Sequence, residues 1–120
     1  MINQRIKEIR KVIKNKKLIV VSKNRSIDEI YEAYRIGHRD FGENRVQELI
    51  KKYEQLPKDI KWHMIGHLQK NKVKYIVPFI HLIHSVDSLE LIRKINSVSK
   101  KNNVKTKCLV QIKIAEEESK

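Results

Sequence analysis

The chain has 120 residues, of which 40% are hydrophobic and 34% charged, with three glycines and two prolines. This length and composition are those of one folded domain rather than of a disordered segment. The single cysteine, Cys108, excludes a disulfide framework within the chain, and no apolar stretch has the length of a signal-peptide core or a membrane span, which together predict a cytoplasmic protein. The net charge of +13 would suit nucleic acid, but the lysines are spread over every segment and aromatic residues are few, so nucleic-acid binding is kept only as an alternative.

The first elements are predicted from apolar spacing and from capping residues. Isoleucines at three- and four-residue intervals predict an amphipathic first helix (Ile2, Ile6, Ile9, Ile13). The apolar run from Leu18 to Val21 then predicts a buried strand that ends at Ser22 and Lys23. Ser26 followed by Glu29 is a capping-box pattern, which predicts the start of a second helix that Gly37 ends.

Strands and helices continue to alternate along the rest of the chain. A short strand over residues 39–44 precedes a helix that carries Val46, Leu49, Ile50 and Tyr53 on one face. Three further strands are predicted at Lys61 to Ile65, Ile80 to Ser85 and Lys107 to Ile114, with helices at Leu68 to Val77 and Ser88 to Lys101. This alternation predicts βαβ units with a parallel sheet, and therefore the α/β class.

The loops favour a barrel over an open sheet. The turn over residues 22–26 contains no glycine, which excludes the glycine-rich phosphate loop of dinucleotide-binding folds. Polar residues instead follow several strands (Lys23, Glu43, Asn44, His67, Ser85), and a barrel places its chemistry at that rim. We therefore predict a single domain over residues 1–120 that forms part of a (β/α) TIM-type barrel with about five parallel strands.

Five motifs, in this order, resemble those of the pyridoxal phosphate homeostasis protein family, which is related to the N-terminal barrel of alanine racemase. They are Val20-Val21-Ser22-Lys23, Phe41-Gly42-Glu43-Asn44, Trp62-His63-Met64-Ile65-Gly66-His67-Leu68-Gln69, Asn71-Lys72 and Ile83-His84-Ser85-Val86-Asp87-Ser88. The resemblance continues through Gln111 and residues 117–120. It departs from the family at Arg25-Ser26, where a proline is common, and at Arg45, where an aromatic residue is common.

The resemblance implies a cofactor and two site residues. It implies that Lys23 holds pyridoxal 5'-phosphate (PLP) as a Schiff base, that Asn44 lies beside the cofactor, and that the protein acts in PLP homeostasis without catalytic turnover. The position of Lys23 at the end of an apolar strand also predicts an amine partly shielded from water, which favours attack on an aldehyde. A racemase or decarboxylase would need a second acid-base group and a further domain, and neither is identified.

Other interpretations of these residues remain open. Asn44 is also placed to cap a helix that starts at Arg45. The pairs His63/His67 and His81/His84 suggest a metal site, but Gly66 and a strand-like setting argue against helical ligand geometry, and no acidic partner is near in sequence, so no metal is predicted.

The length of the chain predicts an incomplete barrel. A closed barrel has eight strands, and the resemblance places the phosphate-binding loops after the last two, beyond these five. The chain is then expected either to bind PLP weakly as a truncated remnant or to self-associate through its unpaired strand edges.

Overall fold

The computed structural model describes residues 2–14 and 16–112. Five helices are α1 (Ile2–Ile13), α2 (Ile27–Arg35), α3 (Val46–Gln55), α4 (Val73–Ile76) and α5 (Leu89–Lys101), and a 3-10 turn at Lys70–Lys72 precedes α4. Five strands are β1 (Val20–Val21), β2 (Asp40–Glu43), β3 (Lys61–Met64), β4 (Leu82–Val86) and β5 (Lys107–Val110). No helix in the described part of the chain combines the length and apolar character that crossing a bilayer requires.

The strands form one parallel sheet in the order β1-β2-β3-β4-β5. Parallel strands joined by right-handed crossovers place their helices on opposite faces only where the strand order reverses. Here the order does not reverse, so the connecting helices lie on one face and the sheet is the wall of a partial barrel. The predicted α/β class and the five parallel strands are confirmed.

Several elements differ from their predicted extents, and the first strand is shortened from Leu18–Val21 to Val20–Val21. The predicted helix from Leu68 to Val77 is reduced to the 3-10 turn and the single turn of α4, because Leu68 is buried in the loop after β3 and Gln69 is still extended. The last strand ends at Val110 rather than Ile114, and residues 113 and 114 lie outside the described part. The last family motif, at residues 117–120, lies outside it as well.

The two faces of the sheet have different environments. The face toward the helices carries the largest fully buried side chains of the strands (Phe41, Trp62, Met64, Ile83). We call the other face the concave face. It includes Gly42, where an added Cβ would meet the side chains of Ile19 and Ile65. At the two ends of this face Val21 and Leu109 are 49% and 52% exposed, which is the environment expected of a barrel interior without its remaining strands.

The predicted capping box at the start of α2 is present and fixes the segment that follows Lys23. The Ser26 hydroxyl accepts from the Glu29 backbone at 3.1 Å, and the Glu29 carboxylate accepts from the Ser26 backbone at 2.9 Å. This second bond is the main reason that the pKa of Glu29 lies below its usual 4.5.

Removing this cap should cost stability in a pH-dependent way. We expect Ser26→Ala to lower the free energy of unfolding by about 1 kcal/mol at pH 7. Because the folded state lowers the pKa of Glu29, its contribution is present above pH 4.5 and is lost as the pH falls below that value. Urea unfolding should therefore separate wild type from Glu29→Gln more at pH 7 than at pH 3, and an equal separation at both values would contradict this assignment.

Candidate functional site

Lys23 lies at the carboxyl end of β1, in a turn completed by Asn24, whose φ is +61°. Its side chain is exposed, and no hydrogen bond or ion pair from its amine is found within residues 2–14 and 16–112. The expected shielding of this amine is therefore wrong, because β1 has only two residues and Lys23 lies in a turn directly after Ser22. An exposed primary amine is nevertheless accessible to an aldehyde.

Asn44 follows β2, the strand adjacent to β1. Val21 and Gly42 are paired across the two strands, and Lys23 and Asn44 come two residues after each of them, so both lie at the same edge of the sheet. Asn44 does not cap a helix, since α3 begins at Val46 and its N-cap position is Arg45. The capping alternative therefore does not account for Asn44.

The Asn44 backbone is held tightly against the loop after β3. A Cβ on Gly66 would lie 2.5 Å from the Asn44 carbonyl oxygen and 2.9 Å from its Cα, so only glycine fits there. Close by, the Ile65 backbone donates to the Glu43 carbonyl at 2.9 Å. Two loops at the rim are thus joined by backbone contacts.

A polar cleft of about 320 Å³ opens beside Asn44 at the carboxyl ends of β2 and β3. Its lining is basic and amide-bearing (Asn44, Arg45, Val46, Gln47, His67, Gln69, Lys72). Of the rim residues singled out from the sequence, Asn44 and His67 line this cleft, whereas Glu43 does not.

Glu43 instead belongs to a buried ion pair beneath the Lys23 turn, a group that sequence reasoning missed. The Glu43 side chain is fully buried, and Lys52 of α3 donates to its carboxylate at 2.8 Å. Lys52 also donates to the Ser22 carbonyl at 2.8 Å, and the Ser22 hydroxyl donates to the Glu43 carboxylate. The residue directly before Lys23 is therefore bonded to both members of the pair.

A signal for this pair was present in the sequence. Lys52 comes three residues after Leu49 and six after Val46, on the apolar stripe of α3, where a lysine is out of place. A charged residue on such a stripe needs a buried partner of opposite charge.

A second polar group lies on the concave face around His63, which is completely buried. His63 Nε2 is 2.9 Å from Asp40 Oδ1, and His63 Nδ1 is 3.1 Å from His84 Nε2. The His81 ring centroid lies 5.2 Å from that of His63. We call Asp40, His63, His81 and His84 the histidine cluster. No acidic partner is near these histidines in sequence, but the fold brings Asp40 next to His63.

Burial and hydrogen bonding set the charges in the histidine cluster. Burial lowers the pKa of His81 and of His84, and the nearby His63 lowers both further. Burial alone would raise the pKa of Asp40, but the hydrogen bond with His63 and the charge of Lys17 together bring it below its usual value. His81 and His84 are therefore held toward their neutral form, beside the Asp40 carboxylate.

The sequence profile described as "Alanine racemase, N-terminal domain" matches residues 1–115. The chain belongs to this family. Among its curated relatives are the pyridoxal phosphate homeostasis proteins of Aquifex aeolicus, 44% identical, and Homo sapiens, 43% identical. Each match covers 87% of this chain but only 46% and 41% of those proteins, so the chain spans about half the length of the curated relatives it matches.

Solved structures of the alanine racemase N-terminal domain family agree with the fold. PipY of Synechococcus elongatus, solved with PLP bound, superposes with a TM-score of 0.87 at 37% identity, over 96% of this chain and 56% of PipY. PipY without PLP superposes with a TM-score of 0.86 at 36% identity. The resemblance drawn from the five motifs is confirmed, and it applies to the N-terminal portion of those proteins.

Proposed function

We propose that this chain is the lysine-bearing portion of a PLP-binding protein of PLP homeostasis, with Lys23 as the residue that attaches the cofactor. The observation that carries the proposal is the position of Lys23, an accessible amine at the carboxyl end of the first strand of a sheet closely similar to that of PLP-bound PipY. PLP supplies an aldehyde, to which a lysine amine links covalently.

The residues around Lys23 fit such a cofactor. Asn44 brings an amide to the same edge of the sheet, and the cleft beside it carries Arg45 and Lys72, whose charges suit an anionic group. The buried pair of Glu43 and Lys52 holds the Ser22 backbone and so limits where the Lys23 side chain can reach. These residues bind and orient the cofactor.

The proposed role does not include turnover. The curated relatives are named as homeostasis proteins rather than as enzymes. The Asn44 amide cannot exchange a proton with a substrate near neutral pH, so its part is to bind and orient the cofactor.

Removal of Lys23 should abolish covalent attachment. We expect PLP added to the chain to develop a shifted absorbance band, and borohydride to fix an adduct whose mass maps to a peptide containing Lys23. Lys23→Ala should lose the adduct completely, whereas Lys70→Ala, which removes another exposed lysine, should keep it. An adduct spread over several lysines in both variants would refute the assignment.

The alternative is that this chain binds PLP only after its barrel is completed. The exposure of Val21 and Leu109 on the concave face favours this alternative, because the neighbours that would cover them are absent among the described residues. A second copy could then pair along β1 or β5. Gel filtration of the sample used for PLP titration distinguishes PLP binding by the single chain from binding by a completed barrel. The second hypothesis predicts an adduct only in the oligomeric fraction.

A further inference from the structure

The histidine cluster has the donors and spacing of a metal site. One ligand atom from each of Asp40, His63 and His81 lies within 4.8 Å of the other two. The three residues come from neighbouring strands, at the first position of β2, the third of β3 and directly before β4. Parallel pairing of these strands brings the side chains together, although 41 positions separate Asp40 from His81 in sequence.

The distance between His63 and Asp40 already suits a small divalent ion, and the remaining ligand atom, from His81, lies within 4.8 Å of both. Zinc binds imidazole nitrogen and carboxylate oxygen at about 2.0–2.2 Å, so two ligand atoms on one ion lie roughly 3 Å apart. His63 Nε2 and Asp40 Oδ1 are already separated by 2.9 Å. An ion bound to both would replace the proton of this hydrogen bond without moving either strand.

His84 provides the outer support that metal-binding histidines usually have. If Nε2 of His63 binds an ion, the proton of the neutral ring resides on Nδ1, and this N–H donates a hydrogen bond to a second group. His84 Nε2 lies 3.1 Å from that Nδ1 and can accept the proton's hydrogen bond. The ring of His63 is thereby held in one orientation, with its free nitrogen directed at Asp40.

We propose that Asp40, His63 and His81 form a Zn²⁺ site on the concave face, oriented by His84 and separate from Lys23. Two imidazoles and one carboxylate form a ligand set that occurs in protein zinc sites. The ion would join β2 and β3 to the residue that precedes β4, whereas Lys23 lies in the turn after β1.

Nearby positive charge sets a limit on the affinity. Lys17 pairs with the other Asp40 oxygen at 3.4 Å, and the charges of Lys61 and Lys107 act on His81. Lys17 leaves Asp40 Oδ1 available, but all three lysines oppose a cation, so binding is expected to be weaker than in closed structural zinc sites.

Zinc titration of the chain tests this site. After chelator treatment, calorimetry with Zn²⁺ should show one ion bound per chain, and Co²⁺ should give a visible spectrum that Zn²⁺ abolishes. His81→Ala and Asp40→Asn should each weaken binding by more than tenfold, since loss of an outer-shell partner alone costs about 10–100-fold.

Two matched variants serve as controls. His67→Ala removes an exposed histidine outside the cluster, and Lys23→Ala removes the proposed PLP attachment, so both should bind Zn²⁺ as wild type does. Should His81→Ala fail to fold, broadening by Co²⁺ of the His63 and His81 ring signals but not of the His67 signal decides the question by NMR. Absence of binding, or equal loss in His67→Ala, would overturn the proposal without affecting the assignment of Lys23.

Discussion

Lys52→Met should destabilise the chain by about 3–5 kcal/mol, because it leaves the carboxylate of Glu43 buried without a partner. The Glu43 Oε1 atom has no hydrogen-bond partner among the described residues. Among those residues, the Glu43 carboxylate therefore has only two polar contacts, the Lys52 ammonium and the Ser22 hydroxyl, and both are to Oε2. Small domains are stable by only about 5–15 kcal/mol, so this loss is a large part of the total. Urea unfolding followed by circular dichroism measures it.

The companion variants separate charge burial from lost packing. Glu43→Gln combined with Lys52→Met removes both charges, and much of the lost stability should return. Lys70→Met breaks the exposed pair with Glu90 and should change stability very little, since exposed pairs contribute little. If the double variant is less stable than Lys52→Met alone, the Glu43 charge is not what destabilises the single variant.

The same substitution should also reduce the reactivity of Lys23. Lys52 donates to the Ser22 carbonyl, one peptide bond from Lys23, so its loss frees the turn that carries the amine. Under conditions in which Lys52→Met remains folded, the PLP adduct at Lys23 should form more slowly than in wild type, whereas Lys70→Met should match wild type.

The fold was predictable to the extent that it depends on local patterns. The apolar run that ends at Val21, the capping box at Ser26 and the apolar stripe of α3 can each be recognised within a short segment of sequence. The helix expected from Leu68 was wrong because its first turn is determined by tertiary contacts: Leu68 is drawn into the core and the Gly66 backbone abuts Asn44.

The site residues were predictable only where a family motif identified them. Lys23 and Asn44 remain predictions, and the structure places both at one edge of the sheet. The partners that surround them depend on strand register, which a single sequence does not reveal: Asp40 reaches His63 because β2 and β3 are paired, and Lys52 reaches Glu43 because α3 folds back on β2.

Gly66→Ala should displace the loop that carries Asn44 and thereby weaken both the fold and PLP binding. The added methyl would lie 2.5 Å from the Asn44 carbonyl oxygen and 3.1 Å from its carbonyl carbon, and backbone atoms cannot rotate away as a side chain can. Overpacking of this kind costs about 1–3 kcal/mol, and the rigid neighbour here favours the upper end of that range.

Gly42→Ala is the matched control for this close approach. Its added methyl would meet only side-chain atoms, Ile65 Cδ1 at 3.0 Å and Ile19 Cγ2 at 3.3 Å, which can shift to other rotamers. Urea unfolding should therefore show a larger loss for Gly66→Ala than for Gly42→Ala. A PLP titration under folding conditions should show weaker binding only for Gly66→Ala, because only that substitution moves the Asn44 backbone. Equal effects of the two substitutions would mean that the loop yields as easily as a side chain, and the tight contact would then have no part in positioning Asn44.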